Sequence, residues 1–109
     1  AAFEGHKNIV APSICDICDC HVFHQYTLRI IDADRNGLMQ HLLDKGIPCA
    51  IYYPIPLHSQ KAYTDSRYKE EDFPVTNQLV KEVLSLPMHT ELDDEQIKFI
   101  TDSVLEYLG

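Results

Sequence analysis

The sequence contains little glycine, with four residues among 109. A loop that cradles phosphate groups needs several glycines close together, so a glycine-rich nucleotide-binding loop is excluded. The G-x-S-x-G turn of many hydrolases and the H-E-x-x-H helix of zinc proteases do not occur either. The residues form no complete catalytic constellation, and we predict no catalytic residue in this chain.

Basic residues are also scarce, because nine Lys and Arg residues stand against 17 Asp and Glu residues and give a net charge of −8 at pH 7. An acidic surface repels phosphate backbones and anionic lipids, so we expect neither nucleic acid nor a membrane as a partner. No apolar run approaches the roughly 20 residues that span a bilayer. The first residues, AAFEGHKNIV, do not resemble a secretory signal. These features favour a cytoplasmic protein.

What the sequence does contain is typical of one globular domain. Hydrophobic residues make up 45% of the chain and charged residues 24%, and this balance excludes a disordered protein. A chain of 109 residues builds a single domain with a modest core. Residues 1–20 show weak periodicity and contain Pro12, so we interpret them as an N-terminal segment or loop that precedes a domain at residues 21–109.

A cysteine cluster lies at the end of that segment. Cys15, Cys18 and Cys20 form the string CDICDC, and His21 and His24 follow it. Three thiolates and an imidazole can close a tetrahedral zinc site. A typical zinc-site sequence has two pairs of closely spaced ligands that are separated by a folded loop, whereas this sequence has only one such pair. We therefore favour reduced thiols in a loop and predict no metal site, with a thiol-based metal-binding module as an alternative.

The first half of the domain predicts a strand, a helix and a second strand. Residues 21–31 alternate in polarity and predict the first strand, whose core-facing residues are Val22, Tyr26, Leu28 and Ile30. Asp34 is suited to cap the helix that follows, and Gly46 to end it. The apolar stripe of this helix comprises Leu38, Met39, Leu42 and Leu43. Residues 49–53 predict a short second strand, which Pro54 ends.

The second half predicts a loop, a helix, a short strand and a last helix. Residues 57–72 are polar and predict a loop, and Pro74 suits the first position of the next helix. The apolar face of that helix comprises Val75, Leu79, Val83 and Leu84, and residues 84–86 predict a third strand. Asp93 and Gln96 form a capping box at the start of the last helix. Its apolar stripe comprises Ile97, Ile100, Val104, Leu105 and Leu108.

This order of elements predicts an α/β fold of the α+β type. We expect a two-layer sandwich in which a small, mostly antiparallel sheet of about three strands carries helices on one face. The other face of the sheet is then available to solvent or to another domain. Such a one-sided sheet is typical of a lid or a docking module, and a protein-interaction module is therefore an alternative function.

One segment stands out as a candidate binding site, with the sequence YYPIPLH at residues 52–58. Its two prolines stiffen the backbone after a strand end. Hydroxyl and imidazole groups are suited to hydrogen-bond sugar hydroxyls and phosphate oxygens. The candidate substrate-binding residues are therefore Tyr52, Tyr53 and His58. The alternative is that the tyrosines pack in a core or an interface and that His58 is a surface residue.

Three blocks of the sequence resemble the C-terminal part of the DegT/DnrJ/EryC1/StrS aminotransferases. The blocks are HVFHQYTLRI, GIPCAIYYPIPLHSQKAY and DFPVTNQLVKEVLSLPMHTELDDEQIKFI, and they occur in the order and spacing of that family. The resemblance covers the chain from about His21 to its end. It implies the C-terminal small domain of a fold-type-I enzyme, similar to aspartate aminotransferase. The string CDICDC has no counterpart that we can assign.

The resemblance also implies a function for the longer enzyme. Members use pyridoxal phosphate to move an amino group, usually from glutamate, onto a keto sugar attached to a nucleotide, often for cell-surface polysaccharides. The cofactor lysine belongs to a large domain upstream, so we expect no cofactor contact in this chain and no activity from it alone. The implied partners are that large domain, a second copy in a homodimer and the nucleotide sugar. A sugar dehydratase is the alternative within the family.

The resemblance assigns roles residue by residue. The positions of Tyr52 and Tyr53 lie near bound substrate in the family and often reach across the dimer. Many members have histidine where this chain has Tyr52, which leaves the role of that position open. His58 and His89 match the histidines of the Y-P-x-P-x-H and L-P-M-H blocks, and for His89 the expected role is structural.

Overall fold

The computed structural model describes residues 2–14 and 22–109. Three strands and three helices follow one another along the described chain. They are β1 (Ile9–Val10), β2 (Tyr26–Ile30), α1 (Arg35–Asp44), α2 (Pro74–Glu82), β3 (Val83–Leu86) and α3 (Asp94–Leu108). Between α1 and α2, three 3-10 turns cover Leu57–Ser59, Lys61–Tyr63 and Glu70–Asp72. The helices begin where the sequence predicts them.

The strands form one antiparallel sheet in the order β1-β2-β3. Leu28 of β2 lies opposite Leu84 of β3, and Ile9 of β1 lies opposite Ile30 of β2. The predicted architecture of a small antiparallel sheet with helices packed on it is confirmed. The edge strand β1 comes from residues 1–20, where no strand is predicted.

The strand predicted at residues 49–53 is wrong. Ala50 forms only an isolated bridge to Ser85 of β3. Two features of the chain limit the pairing to that bridge. Pro48 and Pro54 have no N–H to donate to a neighbouring strand, and Tyr53 has a positive φ of 57°, which turns the backbone out of the extended conformation.

The core lies between the sheet and two of its helices. Leu28 and Leu84 project from the same face of the sheet, and both are completely buried. Leu38 and Leu42 of α1 pack there, together with Ile100 and Val104 of α3. Burying one such leucine fully contributes roughly 1.5–3 kcal/mol to folding. This small core holds the sheet and both helices in one unit.

Four apolar residues that the sequence places on core-facing surfaces are exposed instead. Val22 is 87% exposed because β2 begins only at Tyr26, so the alternation does not extend to residue 22. Leu43, Val75 and Ile97 are 42%, 68% and 46% exposed. Each of them belongs to the predicted apolar stripe of a helix, so these stripes are narrower than the sequence predicts.

The opposite face of the sheet is polar. Thr27 and Ser85 are cross-strand partners whose hydroxyl oxygens are 2.7 Å apart. Arg29 forms an ion pair with Glu82 at 2.8 Å. The helix α2 lies against β2, and it is followed directly by β3. Arg35 donates from Nη1 to the carbonyl oxygens of Val80 and Val83, at 3.2 and 2.8 Å. These bonds fix α2 and the start of β3 relative to α1.

Candidate substrate-binding site

The candidate segment is attached to the sheet immediately before its two tyrosines. Ala50 donates its N–H to the carbonyl of Ser85 at 3.0 Å and accepts one from Ser85 at 2.8 Å. Upstream, Gly46 takes the predicted left-handed conformation at φ 75°, and Ile47 donates to the carbonyl of Leu42. The chain between α1 and Tyr52 is therefore held at both ends.

Both tyrosines lie at the surface. The exposed fraction is 49% for Tyr52 and 84% for Tyr53, so neither ring is buried under the helices. Tyr53 also has a left-handed backbone at φ 57°. That conformation costs a residue with a Cβ atom roughly 1–2 kcal/mol. The tyrosines therefore occupy a turn that leaves both rings available to a ligand or to another protein surface.

The two rings do not share one pocket. Tyr52 lines a hollow of about 230 Å³ beside Cys49, Ser85 and Met88. Tyr53 lines a separate depression of about 580 Å³ with Pro54, Ile55, Ser59, Gln60 and Lys61. Any ligand that touches both rings must span the edge of the loop between these depressions.

His58 lies apart from both tyrosines. It contacts Asn77 of α2 and Phe73, the residue that precedes α2. Its Nε2–H donates to Oδ1 of Asn77 at 2.9 Å, and its ring stacks on Phe73 with centroids 4.4 Å apart. Asn77 in turn donates to the carbonyl of Glu70 at 2.8 Å. His58 is half-buried and lines neither of the two depressions. This geometry holds the proline-rich loop against α2.

Sequence reasoning missed two polar residues that line the hollow beside Tyr52. His24 and Gln25 line it from the start of β2, opposite Pro87 and Met88 at the end of β3. They meet because Tyr26 pairs with Leu86 in the antiparallel ladder. The sequence indicates His24 only as a possible zinc ligand, because the residues that lie beside it depend on a strand register that the sequence does not display.

Cys49 also lines this hollow but is poorly suited to act as a nucleophile. Burial raises the pKa of its thiol above the ordinary value, so the group stays protonated at neutral pH, and the thiolate is the reactive form. Its Sγ lies 3.7 Å from the carbonyl oxygen of Met39, to which the thiol donates. We therefore interpret Cys49 as a lining residue.

The described lysines do not form a site for pyridoxal phosphate. The cofactor needs an amine in a closed pocket for its Schiff base. Lys45 is half-buried but pairs with Glu106, and the side chains of the remaining lysines are exposed, namely Lys7, Lys61, Lys69, Lys81 and Lys98.

The cysteine cluster that is predicted to be a loop lies outside the described residues. This applies to Cys15, Cys18 and Cys20 and to His21 beside them. Within residues 2–14 and 22–109, no three His, Cys, Asp or Glu side chains come together as metal ligands. The helices in that same part of the chain are all too short or too polar to cross a bilayer.

Comparison with known families identifies the chain. A model of the DegT/DnrJ/EryC1/StrS aminotransferase family matches residues 2–105. The chain belongs to this family. It matches the C-terminal part of these aminotransferases, as the three sequence blocks predict. The match also includes most of residues 1–20, which the resemblance did not cover.

Curated relatives agree with this assignment. A pleiotropic regulatory protein of Geobacillus stearothermophilus is 41% identical over 80% of this chain and 23% of its own length. The dTDP-3-amino-3,6-dideoxy-alpha-D-galactopyranose transaminase of Aneurinibacillus thermoaerophilus is 34% identical over 95% of this chain and 28% of its own length. The chain thus spans about a quarter of the length of these relatives.

Solved structures show the same fold. The S. venezuelae protein DesV, in complex with a ketimine intermediate, superposes with a TM-score of 0.86 at 30% identity, over 98% of this chain and 28% of DesV. The putative sugar aminotransferase Spr1654 of Streptococcus pneumoniae, in its PLP form, gives 0.81 at 25% identity, over 98% of this chain and 27% of its own. The predicted topology, that of the C-terminal part of an aminotransferase, is confirmed.

Proposed function

We propose that this chain acts as the C-terminal domain of a pyridoxal-phosphate-dependent aminotransferase, which transfers an amino group to the keto group of a nucleotide-linked sugar. The family match over residues 2–105 carries the proposal. The name of the A. thermoaerophilus relative supports the sugar substrate, and the PLP form of Spr1654 supports the cofactor. The cofactor supplies the electron sink for carbanion chemistry when it is bound.

The task of this domain in the proposed enzyme is to hold the sugar nucleotide and to exclude water. The exposed rings of Tyr52 and Tyr53 are placed for the first task, because both project from a loop that is bonded to the sheet. Substrate contact by His58 remains a prediction, and its bonds to α2 support a positioning role for it as well. Orientation of this kind accelerates a reaction by lowering the entropy lost at the transition state.

Further parts of the proposal concern partners and location. We expect glutamate as the amino donor, a large domain that holds the cofactor lysine, a homodimer in which active sites are shared, and a cytoplasmic enzyme. The large domain is supported by the coverage, because the chain spans about a quarter of the length of its relatives.

The proposal is tested by expressing the chain together with its native upstream sequence. The purified enzyme is incubated with pyridoxal phosphate, glutamate and a panel of nucleotide-linked keto sugars, and mass spectrometry is used to look for an amino sugar and 2-oxoglutarate. We expect amination of at least one keto sugar. The 109-residue chain alone is the control and should form neither an imine absorbance band nor product.

Two results would contradict the proposal. One is a stoichiometric imine with transaminase turnover from the 109-residue chain alone. The other is a longer protein that binds pyridoxal phosphate but aminates none of the sugars. Loss of water from the sugar without amination would assign the dehydratase function instead.

A further inference from the structure

A groove with apolar walls opens beside the first residues of the described chain. It has a volume of about 340 Å³ and lies between the N-terminal segment, α3 and the residues that follow β3. We call it the Phe3 groove; its lining includes Phe3, Leu86, Met88, Leu92, Ile97 and Ile100. The candidate substrate-binding residues do not line it.

The lining of the Phe3 groove suits an apolar occupant. Charged residues make up 24% of the chain, but the described lining contains no Asp, Glu, Lys or Arg. Ile97 and Met88 are 46% and 40% exposed there, so both present apolar surface to water. Covering such surface is favourable in proportion to its area, whereas a charged group would lose its hydration without gaining an ionic partner.

The shape of the groove suits side chains from another segment. Ile97, Ile100 and Thr101 are spaced three and four residues apart, so they form one face of α3 and one wall of the groove. Ile100 and Leu86 are only 8% and 7% exposed and form its floor. Ile97 and Met88 form its open rim. An apolar groove of this kind receives the apolar side chains of a second segment.

Chain connectivity identifies that segment. Phe3 is 5% exposed and belongs to the core cluster, so the start of the described chain is anchored at the groove, and Ala2 lines the groove as well. Consecutive Cα atoms are only about 3.8 Å apart. Residues that precede Ala1 in a longer chain therefore begin beside these walls. Because they are tethered there, they have an advantage in effective concentration over any free partner.

The comparisons place the missing part of the enzyme on the same side. The chain spans about a quarter of the length of its relatives and matches their C-terminal part. From these observations we propose that the segment directly upstream of Ala1 packs apolar side chains into the Phe3 groove and so attaches the large domain to this one. The inference rests on the proposed function, which supplies that large domain.

Alkylation of an Ile97→Cys variant tests the inference. The tryptic peptide of residues 82–98 reports this position separately from the four native cysteines. The thiol should react readily with iodoacetamide in the 109-residue chain. In the longer enzyme its reaction should be slower by about tenfold or more, because the thiol is reached only when the segment leaves the groove.

Leu43→Cys is the matched control for this experiment. Leu43 is 42% exposed, close to the 46% of Ile97, and it does not line the Phe3 groove. The tryptic peptide of residues 36–45 reports it without a native cysteine. Its rate of alkylation should be the same in the 109-residue chain and in the longer enzyme. An equal rate for Ile97→Cys in the two proteins would overturn the inference.

A second measurement identifies the occupant without any variant. The longer enzyme is produced with photo-methionine in place of methionine, so that a photoreactive group at Met88 lies in the groove. After irradiation, mass spectrometry locates the crosslinked residue in a mixture of ¹⁵N-labelled and unlabelled protein. We expect crosslinks within one chain, to the stretch of about ten residues before Ala1, which extends at most roughly 33–36 Å.

The other crosslinks would overturn the inference. A crosslink between a labelled and an unlabelled chain would assign the groove to a second copy of the protein. Crosslinks from Met88 only to residues farther upstream would assign it to another part of the large domain.

Activity assays separate this inference from the proposed function. An active transaminase in which Ile97→Cys reacts as fast as in the 109-residue chain would refute the docking of the upstream segment and leave the proposed function intact. Protection of position 97 in a longer protein that aminates no sugar would support the docking and refute the proposed function instead.

Discussion

Tyr53 combines an unfavourable backbone conformation with an exposed ring. Its φ of 57° lies in the left-handed region, and 84% of the residue is exposed. Contacts of the ring within the described chain therefore do little to offset the strain. Non-glycine residues with this property concentrate at functional sites, where the strain holds a side chain in its working position.

Tyr53→Gly should separate folding from binding. Glycine adopts positive φ without strain, so we expect the free energy of unfolding to stay unchanged or to rise by up to about 1 kcal/mol. In the longer enzyme, the same change should raise KM for the sugar substrate. Urea denaturation of the chain and steady-state kinetics measure the two effects. A loss of more than about 1 kcal/mol in stability would show that the ring has a structural role.

His58 should contribute to stability through its ring contacts. His58→Ala removes the bond to Asn77 and the stacking on Phe73, and we expect a loss of about 1–2 kcal/mol in the free energy of unfolding. His58→Gln should recover part of it because an amide can still donate to Asn77. His24→Ala is the control, since His24 is exposed. Equal stability of the His58→Ala and His24→Ala variants would contradict this assignment.

At the scale of single elements, α3 begins with a complete capping box. Asp93 accepts the N–H of Gln96 at 2.8 Å, and the Gln96 side chain accepts the N–H of Asp93 at 3.1 Å. Asp93→Ala should lower the free energy of unfolding by about 1 kcal/mol, and Asp93→Ser should restore most of it. Thermal denaturation of the three proteins measures this difference. A serine variant as unstable as the alanine variant would mean that the cap does not stabilise the fold.

The helices were predictable because their signals are local. Asp34 and Asp93 cap α1 and α3 as the sequence indicates, and Pro74 opens α2. A capping residue and a proline act within one turn of the helix, so their effect is visible in a few consecutive letters.

The strands were less predictable because their pairing is not local. The edge strand β1 has two residues, and only its pairing with β2 defines it. Residues 49–53 carry β-branched and aromatic side chains but pair only at Ala50. The same dependence on register hid His24 and Gln25, whereas Tyr52 and Tyr53 were found from their position next to Pro54.

The whole molecule should lose stability in acid. Hydrogen bonds from Gln78 and Arg29 hold the pKa of Glu82 below its ordinary value of 4.5, and Lys45 does the same for the pKa of Glu106. A carboxylate whose pKa is depressed in the folded state stabilises the fold fully above pH 4.5. That contribution is lost as pH falls through the folded pKa, because the unfolded chain then binds more protons.

Glu82→Gln tests this origin of the acid sensitivity. Its free energy of unfolding should fall less steeply below pH 4.5 than that of the wild type. The control is Glu71→Gln, since Glu71 is exposed and forms no ion pair within the described residues. Urea titrations at a series of pH values compare the slopes. Parallel slopes for Glu82→Gln and the wild type would contradict the assignment.

In the proposed enzyme, a residue outside these 109 positions holds the cofactor, and this domain contacts the sugar. Borohydride reduction of the longer enzyme with pyridoxal phosphate fixes the cofactor to its lysine, and peptide mapping then locates the label. We expect the label upstream of Ala1 and none on the six lysines of this chain. A label on Lys45 or any of the other five would contradict the account.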